Sequence, residues 1–400
     1  MNLYLHIPFC ASRCTYCDFN TYAGLDESIP GYMSALRTEI GTIGEMWRDE
    51  NGEKLPVETI FIGGGTPSLL PLSEIEKLRD TISATYAIKP ELEWSMEANP
   101  GTLSQDYLAG LFSLGVNRLS LGVQSSLASE LALLGRIHTF TEAEEAYHAA
   151  REAGFTNLNL DLIYNLPGQS MSSWQETVQR CLAFQPDHLS LYALSVEEGT
   201  SLWDRVSAGE VPIPDDDLAA DMYAWAEGAL AHGGYAHYEI SNWARLQPGE
   251  SPDATVPLNA CRHNLHVWRN QSYLGFGAGA HGFASGIRYA NIHHPHSYAD
   301  AANRVPYHTP FPLSPAMHES HKLTRAWSMA ETMILGLRLL LEGVSRRAFF
   351  QTYDVALDDV FGEIVEEYAS LDLLCSDLDT VRLSQRGHLL ANQVLQAFLP

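Results

Sequence analysis

Apolar residues gather along the first half of the chain in six short runs: Leu3–Ile7, Val57–Ile62, Leu92–Met96, Arg118–Leu121, Leu158–Ile163 and His188–Tyr192. Between them the spacing of apolar positions lengthens to the helical period, at Pro30–Ile43, Pro71–Tyr86, Ser104–Leu114, Thr141–Ala153 and Ser172–Phe184. Strand-like runs alternating with helices over about 190 residues predict successive parallel βα units. The expected fold class is therefore α/β, a partial (β/α)6 barrel whose chemistry gathers at the C-terminal ends of its strands.

The second half reads differently. From Val211 to Arg304 come a helical stretch at Asp216–His232, a β-like stretch at Ala236–Ser241, a polar loop at Gln247–Pro257 and a glycine-rich segment, Gly275 to Gly282, expected to form a tight turn. These read as a β-containing extension of the barrel. The polar, proline-containing stretch Tyr307–Pro315 marks a boundary. Helices at Arg325–Leu341, Ser345–Tyr353, Leu357–Ala369 and Gln385–Phe398, with a hairpin of Leu374–Asp377 and Thr380–Leu383, predict a small C-terminal helical, winged-helix-like domain. The expected domains are 1–210, 211–310 and 311–400.

The chain has 400 residues, 46% of them apolar, and a formal charge of −25. That charge, and the excess of Glu and Asp over basic residues in the C-terminal module, disfavour phosphate binding and hence a nucleic-acid surface. The first residues, MNLYLHIPFC, lack the basic n-region and apolar h-region of a signal peptide. No apolar run approaches the length of a membrane span.

Candidate chemistry lies where the barrel would place it. After the first run come Cys10, Cys14 and Cys17, three thiols within eight residues. Zinc prefers paired CxxC units and a closed tetrahedron, and a disulfide scheme fails because three crowded cysteines cannot all pair. The spacing points to a [4Fe–4S] cluster, which usually takes four thiolates, with one iron left open. After the second run, Gly63, Gly64 and Gly65 allow close backbone approach to a ligand, followed by Thr66 and Pro67. The next strand ends offer Glu97, Gln124 and Asp161, one polar group each.

With these residues in view, the chain resembles the radical S-adenosylmethionine (SAM) superfamily, on CxxxCxxC preceded by His-Ile-Pro-Phe and followed by Gly-Gly-Gly-Thr-Pro. Within it the chain is similar to the group of oxygen-independent coproporphyrinogen III oxidases and HemW-type heme chaperones. The resemblance implies that Cys10, Cys14 and Cys17 hold the cluster. It also implies that Tyr4, Tyr16, Gly64, Gly65, Thr66, Glu97, Gln124, Arg136 and Asp161 surround SAM. Arg136 suits a carboxylate, which its guanidinium can grip with two hydrogen bonds.

The oxidases of that group carry a fourth cysteine where Phe19 stands, and a long segment before the cluster motif. Both departures favour the chaperone type. A second segment, Cys261 to Trp268, matches the HNxxYW heme signature of that family at His263, Asn264 and Trp268, with Val267 in place of the tyrosine. The resemblance implies heme as a third cofactor, with the His263 imidazole as axial ligand and Trp268 stacked on the porphyrin. The alternative for His263 and Asn264 is a pair that hydrogen-bonds a loop. The histidines at 293, 294 and 296 read as a loop without metal-site spacing.

The expected function is a heme chaperone that passes heme to respiratory hemoproteins. It would be cytoplasmic, with peripheral visits to the membrane and room for a homodimer. The alternative is radical SAM oxidative decarboxylation of coproporphyrinogen III.

Overall fold

The computed structural model describes residues 1–251, 254–304 and 310–400. All six expected runs are strands: β1 (Asn2–Ile7), β2 (Pro56–Gly64), β3 (Ala87–Ala98), β4 (Arg118–Gln124), β5 (Leu158–Tyr164) and β6 (His188–Ala193). They lie side by side in chain order, each parallel to the next, with Leu3 opposite Ile60, Ile60 opposite Trp94, Met96 opposite Leu119, Leu121 opposite Leu160 and Leu160 opposite Leu189. The connecting helices are Ile29–Asn51, Leu72–Thr85, Gln105–Leu114, Phe140–Glu152 and Met171–Ala183. Parallel strands covered on their faces explain why the runs are so continuously apolar. Helix starts follow local chemistry: Thr139 and Glu142 form a capping box, and the Ser104 hydroxyl accepts the Tyr107 N–H.

The glycine-rich segment departs from expectation. Tyr273–Phe276 is a strand, parallel to β1 on the edge opposite β2, and His281–Ala284 and Ile287–Asn291 continue the sheet antiparallel. Its glycines are set by close approach: a Cβ on Gly275 would lie 1.8 Å from the His281 carbonyl oxygen, and Gly277, at φ 97°, would put one 2.5 Å from that of His6. Glu39, buried on helix Ile29–Asn51, draws this region together. Its carboxylate accepts from the Gly277 N–H (3.1 Å), Asn291 Nδ2 (3.0 Å), the Tyr298 hydroxyl (2.6 Å) and the Ser314 hydroxyl (2.9 Å).

The chain divides into two compact units, residues 1–222 with 272–321, and residues 223–271 with 322–400. Segment 211–310, expected to be one extension of the barrel, is thus shared between both. Pro252 and Asp253 of the expected polar loop, and Tyr307, His308 and Thr309 of the expected boundary, lie outside the described residues.

In the second unit, Tyr235–Glu239 and Asn242–Arg245 form an antiparallel hairpin. The wing has three strands, with Thr380–Leu383 between Val344–Ser345 and Leu374–Ser376. Met333, Leu337, Phe349, Phe361, Val381 and Phe398 form part of its apolar core. The helix expected over Arg325–Leu341 ends at Gly336, because the backbone beyond it turns to the hairpin. There the Leu340 N–H donates to Tyr238 O (3.0 Å), the Ile240 N–H to Arg338 O (3.2 Å) and the Arg338 guanidinium to Glu239 (2.6 Å). The last expected helix is two short ones, Gln385–Leu389 and Ala391–Gln396.

Candidate functional site

Across the C-terminal ends of β1 to β6 lies a cavity of about 390 Å³, within the range of small-molecule sites. Its wall includes Cys10, Cys14 and Cys17 on one side, and Gly64, Gly65, Thr66, Glu97, Gln124 and Asp161 from successive strand ends. Tyr16 and Arg136 also line it. Eleven of the twelve residues expected in the first unit therefore meet in one place.

The cysteine loop is held by backbone. Phe9–Cys10 pairs with Tyr22–Ala23, closing the loop at its base. The Gly65 and Thr66 N–H groups donate to Ile7 O and Phe9 O, both at 2.8 Å, and Thr15 is fixed through its N–H to Leu134 O (3.0 Å) and its hydroxyl to Leu133 O (2.8 Å). All three loop cysteines are free thiols. Thr66 Oγ1 lies 3.6 Å from Cys10 Sγ, Thr21 Oγ1 lies 3.7 Å from Cys17 Sγ, and Arg136 Nη1 lies 3.5 Å from Cys14 Sγ. Burial raises the Cys10 thiol pKa. Phe19 stands exposed on the cavity rim.

The glycines are needed here. A Cβ on Gly65 would come within 2.6 Å of Phe9 O and 2.9 Å of Cys10 Sγ, and Gly64, at φ 117°, would press one to 2.6 Å from the His6 ring. His6 in turn accounts for the position of Tyr4, the one expected first-unit residue that does not line the cavity. His6 Nε2 faces the Asn20 carbonyl at 2.9 Å, which can only accept, so Nδ1 accepts from the Tyr4 hydroxyl at 3.0 Å. Tyr4 sets the ring that Gly64 packs on, one layer below the cavity.

Three groups at the site are electrostatically unusual. Glu97 accepts the Gly64 N–H at 3.0 Å, yet burial, with the nearby Asp161 carboxyl, pushes its pKa up to about 8. Asp161 is also raised by burial, opposed by donors from Ser120 (2.7 Å) and Asn159 (2.9 Å). Gln124 is held at φ 66° beside a register shift between β4 and β5, a left-handed backbone that costs a non-glycine residue on the order of 1 kcal/mol. Its buried Oε1 has no hydrogen-bond partner among the described residues, nor has the buried Nε of Arg136, whose Nη2 donates to Gly122 O at 2.8 Å.

Sequence reasoning missed the polar layer under Asp161, though its signal was present. Asn159 and Asp161 alternate with leucines on β5, as Ser120 does on β4 and His188 and Ser190 on β6. Period-two polar positions inside apolar strands mark one inward face. His188 Nδ1 and the Ser190 hydroxyl meet Asn159 Oδ1 at 2.7 and 3.2 Å.

The structure places His263 inside the second unit. It lies on helix Arg262–Trp268 of the second unit, 4% exposed, and burial lowers its pKa to about 3. The imidazole is neutral, as an axial ligand must be, but it is enclosed in packing and not offered at a surface. Trp268 has the Arg338 guanidinium over its ring at 4.3 Å, so that face is taken. Of the other histidines, His294 caps helix Pro295–Ala302, where a loop was expected.

The site fits the cofactors of the superfamily. Three free thiols on one wall leave a tetranuclear cluster one ligand short, and the orphaned Gln124 Oε1 and Arg136 Nε await a polar ligand carrying both a donor and an acceptor. The radical SAM superfamily matches at residues 4–181, and the HemN C-terminal domain at residues 323–390. The heme chaperone HemW of Bacillus subtilis is 36% identical over 400 residues, covering 99% of this chain and 98% of that protein. HemW of Escherichia coli is 32% identical, covering 100% and 98%. The solved structure of the E. coli coproporphyrinogen III oxidase HemN, a radical SAM enzyme, has the same fold at TM-score 0.79 and 23% identity, covering 99% of this chain and 89% of that one. With relatives above 30% identity over nearly all of its length, the chain belongs to the HemW family of the radical SAM superfamily.

Proposed function

We propose that this chain is a heme chaperone, carrying a [4Fe–4S] cluster and SAM in its first unit and delivering heme to hemoproteins. The observation that carries the reading is the likeness to heme chaperones over 98% of their own length. In it, Cys10, Cys14 and Cys17 hold the cluster and Gly64 to Thr66 present backbone to the methionine part of SAM. Glu97 takes the ligand ammonium, and Arg136 grips its carboxylate. Gln124 Oε1 accepts from the ligand, and Asp161 is steadied by Ser120 and Asn159. When bound, the cluster supplies an open iron and an electron to SAM. The chain's own groups orient the ligand and set its charge balance.

Delivery to respiratory hemoproteins would bring a cytoplasmic protein to the membrane surface as a visitor. No helix among the described residues is long and apolar enough to cross a membrane. Because His263 is enclosed, heme ligation by it requires its helix to open; a homodimer would be one means of shielding the heme so held.

The test is to reconstitute the chain anaerobically with iron and sulfide, titrate it with heme, and in parallel incubate it with coproporphyrinogen III, SAM and a reductant. Saturable heme binding without decarboxylated product supports the reading, and product formation without a heme complex overturns it. Loss of the heme spectrum in His263→Ala, with iron content unchanged, assigns the ligand; an unchanged spectrum removes His263 from the role.

A further inference from the structure

In the second unit, far along the chain from the cysteines, two histidines converge on one carboxylate oxygen. Glu227 on helix Asp216–His232 has its Oε1 3.0 Å from His237 Nδ1, on strand Tyr235–Glu239, and 2.9 Å from His388 Nδ1, on helix Gln385–Leu389. All three side chains are largely buried, at 13–16% exposure. One donor atom from each lies within 4.8 Å of the other two. A tetrahedral zinc holds its nitrogen and oxygen ligands at roughly 2.0–2.2 Å, which separates them by about 3.3 Å from one another, so little movement is needed.

The hydrogen bonds on the far side of His237 make the point sharper. Its Nε2 faces the Ile240 carbonyl at 3.2 Å and the Tyr223 hydroxyl at 3.3 Å. The Tyr223 hydroxyl also reaches that same carbonyl, at 2.9 Å. With its proton on Nε2, held by the Ile240 carbonyl, the neutral ring turns its Nδ1 lone pair toward the carboxylate oxygen; in the other tautomer Nδ1–H donates to Glu227 and Nε2 accepts from Tyr223. A cation bound by Glu227 selects the first tautomer and takes the place of the Nδ1 proton. A ring N–H donated to a backbone carbonyl is also the arrangement that orients metal-ligating histidines. Trp243 stacks flat on the same ring, 4.0 Å between centroids and 8° between planes, which holds its edge in place.

We propose that Glu227, His237 and His388 form a binding site for one divalent transition-metal ion of the zinc class, with a fourth position for water. Two nitrogens and one carboxylate suit zinc or cobalt and disfavour calcium or magnesium, which take oxygen ligands. The ion links three segments separated by up to 161 residues, so it staples the helix after the wing to the hairpin and the helix before it. Its role is structural, and it is independent of the cluster and of the heme reading.

The experiment uses the full chain with its cluster reconstituted, so that the cysteines are occupied. The protein is loaded with Zn2+, dialysed and analysed for iron and zinc, then repeated with Co2+ to read ligand-field absorption. One retained zinc per chain above an unchanged iron content is expected, with cobalt bands of a four-coordinate nitrogen and oxygen site. Glu227→Gln and His388→Leu should each weaken zinc at least tenfold and leave iron content and the far-ultraviolet spectrum as in the parent. Because Glu227→Gln keeps the side chain's size and an acceptor oxygen, it is the variant least able to disturb folding. No retained zinc in the parent chain overturns the site. Zinc retained equally by both variants does so too, since the ion would then sit elsewhere.

Discussion

Glu97→Gln isolates the energetic consequence of placing a carboxyl at the base of the cavity. In the folded chain the group titrates near 8, against an ordinary value of 4.5, because burial and the Asp161 carboxyl both disfavour its charge. Below about pH 4.5 the carboxyl is protonated in folded and unfolded chains alike and there is no penalty. Between pH 4.5 and 8 the unfolded chain ionises while the folded one holds its proton, so stability falls by about 1.4 kcal/mol per pH unit and levels off above 8. The full span of about 3.5 units sets a ceiling of about 5 kcal/mol. One side of Glu97 borders the cavity, where water supports part of the charge, so about 2–5 kcal/mol is expected. Glutamine keeps an oxygen for the Gly64 N–H and does not titrate. Urea denaturation of the ligand-free chain and its variant, at pH 5 and pH 8, should show the variant gaining that amount over the parent only at the higher pH. An advantage that differs by less than about 1 kcal/mol between the two would refute the reasoning. The same proton links to ligand binding: a cationic group beside Glu97 favours the carboxylate, so SAM binding at pH 7 should release close to one proton, and calorimetry in two buffers measures it.

Cys14→Ser should lose the cluster, read as iron and sulfide content after anaerobic reconstitution; full content would overturn the thiolate assignment. Gly65→Ala places a methyl against the Phe9 carbonyl and Cys10 Sγ, so a loss of about 1–3 kcal/mol and depleted iron are expected by denaturation and metal analysis. Glu39→Leu strips the acceptor from four buried donors, each worth about 1–3 kcal/mol when stranded; the soluble yield should collapse, whereas Glu39→Gln, which keeps an acceptor, should express.

The barrel was legible because its strands, buried on both faces, read as short continuous apolar runs, and its helices, buried on one, show the 3.6-residue period. The strand-end residues followed from the topology alone. What stayed hidden depends on distance, not pattern. Gly275 and Gly277 read as turn residues because the chain that crowds them, His281 and His6, is brought there only by the fold. Glu39 reads as one polar position on a surface helix, since its four donors come from residues 277 to 314. His263 fits a motif, but burial is decided by neighbours that the motif does not name. Tyr4 lies one layer below the cavity because its hydroxyl turns to His6, a contact that no motif names. The pair of histidines on Glu227 lies 10 and 161 positions away, a grouping no local spacing could suggest.

The path of the chain through the first unit has a consequence for how the protein is made. β1 is flanked on one side by β2, synthesised about 50 residues later, and on the other by Tyr273–Phe276, about 270 residues later. At the usual ribosomal pace of about 5–20 residues per second, that second edge waits roughly 15–55 s for its partner. During this interval an apolar strand next to three free thiols has an open row of backbone groups, a template for pairing with other chains. Nascent chains are thus most open to aggregation at an intermediate length. Their safe maturation is set by translation speed and chaperone cover as much as by the supply of iron.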